Sequence, residues 1–169
     1  VTVNINYTWS KVMDIADNDS DTINNPFNMR QSWAPAGYDQ TNVFATDFVY
    51  QLPKVTGALD KRGLRTVFNG WELSGIIRAQ SGTPFSVTSN GSTMGVDAGS
   101  QYPNVIGDPY AGQNKYGWIN SAAFERPLDG QYGNVHRNAF RMPGTQNIDA
   151  NLVKNFAIRE SVKAAFRCE

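Results

Sequence analysis

The chain has one cysteine, Cys168, among 169 residues, so no disulfide forms within it, and thiolate metal centres or thiol catalysis lack partners. Charge is scarce as well: 18% of the residues are charged, against roughly 25% in ordinary soluble domains. The 15 basic and 15 acidic residues cancel to a net charge of zero, which removes the basic footprint that nucleic acid selects. Nucleic acid is therefore not an expected partner. No run approaches the ~18 apolar residues of a membrane-spanning helix, and the N-terminus lacks the charged, apolar and small-residue order of a signal peptide. A helical membrane protein is excluded. A β-barrel is not, because barrel strands alternate and never build a long apolar run.

What the sequence does contain is alternation. In Val1–Trp9 the odd positions are Val, Val, Ile, Tyr and Trp and the even ones Thr, Asn, Asn and Thr. That period of two gives a strand with one apolar and one uncharged polar face, of the length that crosses a bilayer when tilted. Tyr7 and Trp9 fall at one end, where amphipathic rings sit at a membrane interface. A second stretch, Val43–Leu52, sets Phe44, Phe48, Tyr50 and Leu52 against Asp47 and Gln51, and Pro53 ends it because proline donates nothing to a ladder. A third, Gly70–Ser81, sets Trp71, Leu73, Ile77 and Ala79 against Glu72, Ser74, Arg78 and Gln80, with bends or bulges expected at Gly75 and Gly82. Near the end, Ile148, Ala150, Leu152, Phe156 and Ile158 alternate with Asp149, Asn151, Asn155 and Arg159, and Lys154 interrupts the apolar set. The last strand sets Val162, Ala164, Phe166 and Cys168 against Lys163, Ala165, Arg167 and Glu169.

Connections alternate in length: a long Asn/Asp-rich stretch (10–40), a moderate one (53–69), a very long one (90–147) and a tight link near 159–161. Compact soluble domains seldom hold structureless loops beyond about 15 residues, whereas long loops on one side and short turns on the other is a barrel layout. Asn90-Gly91, Asp108-Pro109, Asp129-Gly130, Gly133-Asn134 and Pro143-Gly144 are turn signals that fold the long loops back on themselves. A short helical turn is expected at Asn120–Phe124. The fold class is all-β: an antiparallel up-and-down transmembrane β-barrel wall, partial, with long extracellular loops, forming one domain over 1–169. Val1 already lies inside a strand pattern and the chain stops within another, so it is expected to be incomplete at both ends.

Several stretches in collinear order resemble one family. They are Asn6-Tyr7-Thr8-Trp9-Ser10-Lys11, Asn25-Pro26-Phe27-Asn28, Val49-Tyr50-Gln51-Leu52-Pro53, Gly70–Ile76, Ser81-Gly82-Thr83-Pro84-Phe85-Ser86-Val87, Gly133-Asn134 with Arg137-Asn138, and Gly144–Phe156. Together they resemble the C-terminal part of the barrel in TonB-dependent outer-membrane receptors of the Oar-like group, whose members carry an N-terminal carboxypeptidase-regulatory-like domain. The resemblance implies a full-length receptor in the cell outer membrane, with a plug inside about twenty-two strands, importing a scarce ligand with energy relayed from the inner membrane. The partners it implies are outer-membrane lipid, the remaining barrel strands and plug, and the energy-transducing TonB complex, the last not through this stretch. Cys168 stands where similar sequences carry a small residue such as Ala.

No catalytic constellation appears. His136 is the only histidine and is expected to be a surface loop residue, since it lacks the second histidine or carboxylate that a metal or a general base needs. There is no Gly-x-Ser-x-Gly elbow and no phosphate loop. The acidic run Asp14, Asp17, Asp19 and Asp21 offers oxygens to calcium but lacks the glycine and distal glutamate of an EF-hand, so a solvated loop is the expected state. No metal site and no cofactor is expected. Tyr102, Tyr110, Tyr116, Trp118 and Tyr132 are the candidate ligand contacts, able to stack on a sugar or aromatic ligand; the competing role is packing of the loops. Two rivals share the alternation: a soluble β-sandwich or jelly-roll binding module, for instance for carbohydrate, with its apolar faces turned inward, and a hydrolase whose acids, such as Glu72 and Asp47, converge on folding.

Overall fold

The computed structural model describes residues 1–18, 23–54, 67–94, 101–114, 116–159 and 162–169. Its strands are β1 (Thr2–Trp9), β2 (Met13–Asp14), β3 (Ala34–Pro35), β4 (Asn42–Gln51), β5 (Trp71–Gln80), β6 (Pro84–Phe85), β7 (Asn104–Val105), β8 (Phe124–Glu125), β9 (Phe140–Arg141), β10 (Thr145–Arg159) and β11 (Val162–Cys168). The residues divide into two compact units: a wall (1–8, 42–80, 145–169) and a loop body (9–41, 81–144).

In the wall the five long strands form one sheet in the order β1-β4-β5-β10-β11, each beside its predecessor among the long strands, as an up-and-down meander requires. Asn4 Nδ2 donates to Asp47 Oδ2 at 2.8 Å and the Tyr7 hydroxyl to Asn42 Oδ1 at 2.7 Å, so β1 and β4 run in opposite directions. The remaining pairs are antiparallel too. Register decides the character of each face, because a slip of one residue would send every side chain to the other side. Thr46, Ile77 and Ile148 form one cross-strand row, and Tyr50, Leu73, Leu152 and Cys168 another on the same side. Asp47, Ile76 and Asp149 form a row on the opposite side, as do Gln51, Glu72, Val153 and Arg167. The alternations seen strand by strand in the sequence are thus in phase across all five strands.

Among the described residues no second sheet covers the apolar face: Val3 is 52% exposed, Ile5 67%, Ile148 68% and Phe166 59%. The long connections, 10–41 and 81–144, both join strand ends at one end of the sheet, and the shorter links join ends at the other. No further described strand pairs with the outer margins of β1 and β11, so the sheet is open.

Two details depart from expectation. Gly75 makes no bulge; the ladder passes through it in register, with Phe48 on one side and Ala150 on the other. A Cβ there would sit 2.7 Å from the Asp149 carbonyl oxygen and 3.0 Å from the Phe48 ring, so the glycine makes room for the ring over a regular ladder. The irregularity falls instead between Ala157 and Arg159. Lys154, which interrupts the apolar set, is buried. Its ammonium donates to the carbonyls of Val67, at 3.1 Å, and Asn69. It also lies 5.3 Å from the ring centroids of both Trp71 and Phe156. Backbone oxygens and aromatic faces replace the water that a cation on an apolar face would otherwise lack.

The loop body holds short ladders, β2 with β3, β6 with β9 and β7 with β8, and an apolar cluster of Tyr102, Val135 and Phe140. Phe85, Val87, Val105, Ile119 and Phe124 pack on that cluster, and the Phe124 ring meets Phe140 edge-on at 5.4 Å. The expected turn after Asn120 is a 3-10 helix at Ser121–Ala123, started by the Asn120 side chain accepting from the Ala122 N–H. A second one, Met29–Gln31, was not foreseen.

Candidate functional site in the long connections

A buried arginine must spend its fork of donors on acceptors. Arg137, 6% exposed, finds all of its side-chain acceptors on the first long connection. Nε donates to the Ser32 carbonyl at 3.1 Å, and one terminal nitrogen donates to Asp17 Oδ2 at 2.7 Å. The other donates to the Asp14 carbonyl at 3.0 Å and to Asp14 Oδ1. Its neighbour Asn138, at φ 49, adds amide donations to Asp17 Oδ2 at 3.1 Å and the Pro35 carbonyl at 2.9 Å. Four residues on, Arg141 donates to Asp39 Oδ2 at 2.5 Å and to the Gly82 carbonyl at 3.0 Å. Traffic runs the other way through Gln31, whose amide donates to the carbonyls of Gly133 at 2.7 Å and Val135 at 2.9 Å. Gly133 belongs there for lack of room: a Cβ would lie 2.0 Å from the Tyr102 carbonyl oxygen.

Burial pushes the Asp17 carboxyl up. The Gly37 N–H, the Asn138 amide and the Arg137 guanidinium outweigh it and hold the group below the usual carboxylate range. Asp39 behaves alike: burial raises it, and Arg141, the Val12 N–H and the Thr41 hydroxyl bring it below its ordinary value. Burial lowers Arg137, and Asp14 and Asp17 more than restore it. The Asp17 and Asp39 carboxylates and the Arg137 guanidinium are therefore ionised at neutral pH.

The five candidate ligand contacts take different positions. Tyr102, 6% exposed, is part of the apolar core, and its side chain packs the loop body. Tyr110 sets its ring edge-on to Phe140 at 6.2 Å, and its hydroxyl accepts from the Arg141 N–H at 3.4 Å. Trp118, partly buried, donates its indole N–H to the Arg141 carbonyl at 2.5 Å. Tyr132 is partly buried. Tyr116 stands 88% exposed and has the most open ring of the five. Tyr102, Tyr110 and Trp118 are thus tied to the neighbouring residues Phe140 and Arg141.

Of the acidic run, Asp14 and Asp17 are committed to Arg137, and a guanidinium between them competes with a cation for the same oxygens. Asp19 and Asp21 lie outside the described residues. Among the described residues no group of three metal-ligating acids, histidines or cysteines assembles. His136 is exposed. Sequence reasoning placed Arg137-Asn138 in a matching stretch but did not assign it a role, since its partners on the first connection lie 103 to 123 residues away.

A search of curated proteins and a search of solved structures each found no match. A family model described as an outer membrane beta barrel domain matches residues 1–169. The soluble-sandwich alternative, which needs its apolar faces sealed against a second sheet, is not favoured by that match or by the uncovered apolar face. The in-phase apolar face, the antiparallel meander and the family match agree: the chain belongs to the outer membrane beta barrel domain family and is located in the outer membrane.

Proposed function

We propose that this stretch is barrel wall and ligand-gating extracellular loops of a TonB-dependent receptor, with lipid on the apolar face and a lumen on the polar one. The observation that carries the reading is the phase coherence of the five strands: Thr46-Ile77-Ile148 on one side, Asp47-Ile76-Asp149 on the other. In hydrocarbon every backbone group must pair within the wall, so the open margins of β1 and β11 call for neighbouring strands. The long connections at one end of the sheet form the outer gate, and a plug occupies the lumen. The role is structural and transport-related, not catalytic. Supporting this, Asp47 and Glu72 lie on one face but stand four residues apart in register, about 13 Å along the strand, beyond the roughly 5–9.5 Å of a working carboxylate pair.

The receptor reading is tested by capture. The full-length protein in detergent is passed over the immobilised periplasmic domain of the energy transducer. Retention that depends on the N-terminal part of the full-length protein supports the receptor; no retention leaves an outer-membrane barrel without that role.

A further inference from the structure

The interface between the two long connections carries a network of ions and amides. The first connection supplies the acceptors around Arg137: the carbonyls of Asp14 and Ser32 and the carboxylates of Asp14 and Asp17. Segment 133–141 of the second supplies the donors. The bonds also share atoms. Asp17 Oδ2 accepts from Arg137 and from Asn138. Asp39 is held by Arg141, by the Val12 N–H at 2.8 Å and by the Thr41 hydroxyl at 2.8 Å. The backbone joins in, with the Arg137 N–H donating to the Gln31 carbonyl at 3.2 Å. When one acceptor serves several donors in this way, withdrawing it takes a bond from each of those buried donors at once, so intermediate states are disfavoured. An interface of this chemistry also separates more readily than an apolar one of equal size, because water re-solvates its charges once both sides withdraw.

We propose that residues 10–18 and 23–41 of the first connection and 133–141 of the second form a two-state latch, engaged or released as a whole, with Arg137 as its bolt. Engaged, the two connections are one body. Released, each is free to move separately without unfolding of the wall. The latch is a property of these side chains and holds whatever passes through the barrel.

The test is amide hydrogen exchange of the full-length protein in nanodiscs, comparing wild type with Arg137→Gln and, from the opposite side of the interface, Asp39→Asn. The reporters are the Val12, Ala36 and Asp39 amides in the first connection and the Val135 and Arg137 amides in the second; strands β4 and β5 are the internal reference. A latch predicts that either substitution raises exchange at both sets together by tenfold or more while β4 and β5 stay unchanged. Arg137→Lys keeps the charge and loses the fork, and should give a smaller rise at the same sites. An increase confined to the segment carrying the substitution, or no increase, overturns the proposal. Loss of protection in β4 and β5 as well would also overturn it, since the interface would then be part of one global fold.

Discussion

Ile148→Arg and Asn147→Arg place the same side chain at adjacent positions of β10, on opposite faces of the sheet. Ile148 lies in the row with Thr46 and Ile77 and is 68% exposed. Asn147 lies opposite Arg78 on the polar face. Removing a largely lipid-covered isoleucine forfeits about 1–2 kcal/mol of apolar transfer, and an arginine facing the bilayer interior adds roughly 2–4 kcal/mol. Ile148→Arg should thus cost about 3–6 kcal/mol, or roughly two to four orders of magnitude in the folding equilibrium at roughly 1.4 kcal/mol per decade. Asn147→Arg should cost under about 1 kcal/mol, mostly from facing Arg78 across the strand pair. The assay is urea-driven unfolding of the full-length protein from lipid vesicles, followed by tryptophan fluorescence. Equal costs, or a larger cost at Asn147, would refute the assignment of faces.

Gly133→Ala drives a Cβ to 2.0 Å from the Tyr102 carbonyl; it should destabilise the loop body by about 1–3 kcal/mol and speed limited proteolysis of 81–144 while leaving the wall intact. Tyr102→Ala should act on stability, costing about 3–5 kcal/mol as a buried aromatic, whereas Tyr116→Ala, at an 88% exposed position, should leave stability within about 0.5 kcal/mol; a stability loss from Tyr116→Ala would show that the ring packs. Asp17 and Asp39 are both lowered below the usual carboxylate value of 3.8 in the folded chain. Their contribution is therefore fully present above the unfolded value and is lost as pH falls through the lower, folded one. Protease protection of the loop body should be flat from neutral pH down to about 5 and fall below about 4; a loss centred near pH 6 would contradict that sign.

Much of the wall was legible because its information is local. Period-two alternation assigns a face to each residue, and the phase in Val1–Trp9, Val43–Leu52 and Gly70–Ser81 survives intact in the folded sheet. Pro53 marked the end of β4, which stops at Gln51. Gly75 misled because glycine in a strand signals either a bulge or close approach of a neighbour, and only the partner strand, which brings the Phe48 ring, decides between them. Lys154 looked like a flaw in an apolar face because its acceptors, the carbonyls of Val67 and Asn69, lie 87 and 85 residues away. The loop body was least legible. Turn signals foretold that the connections fold back, but nothing local tells Tyr102, which is core, from Tyr116, which is surface. The pairing of Arg137 with Asp14 and Asp17 is set entirely by tertiary structure.

The direction of the apolar face is tested most directly by spin labels placed singly at positions 145–153 of β10 in the full-length protein in bilayers, with accessibility to oxygen and to a water-soluble nickel chelate measured at each. Oxygen access should peak at 146, 148, 150 and 152 and chelate access at 145, 147, 149, 151 and 153, in strict alternation. The opposite phase, or even-numbered labels shielded from both reagents, would contradict an apolar face turned toward lipid.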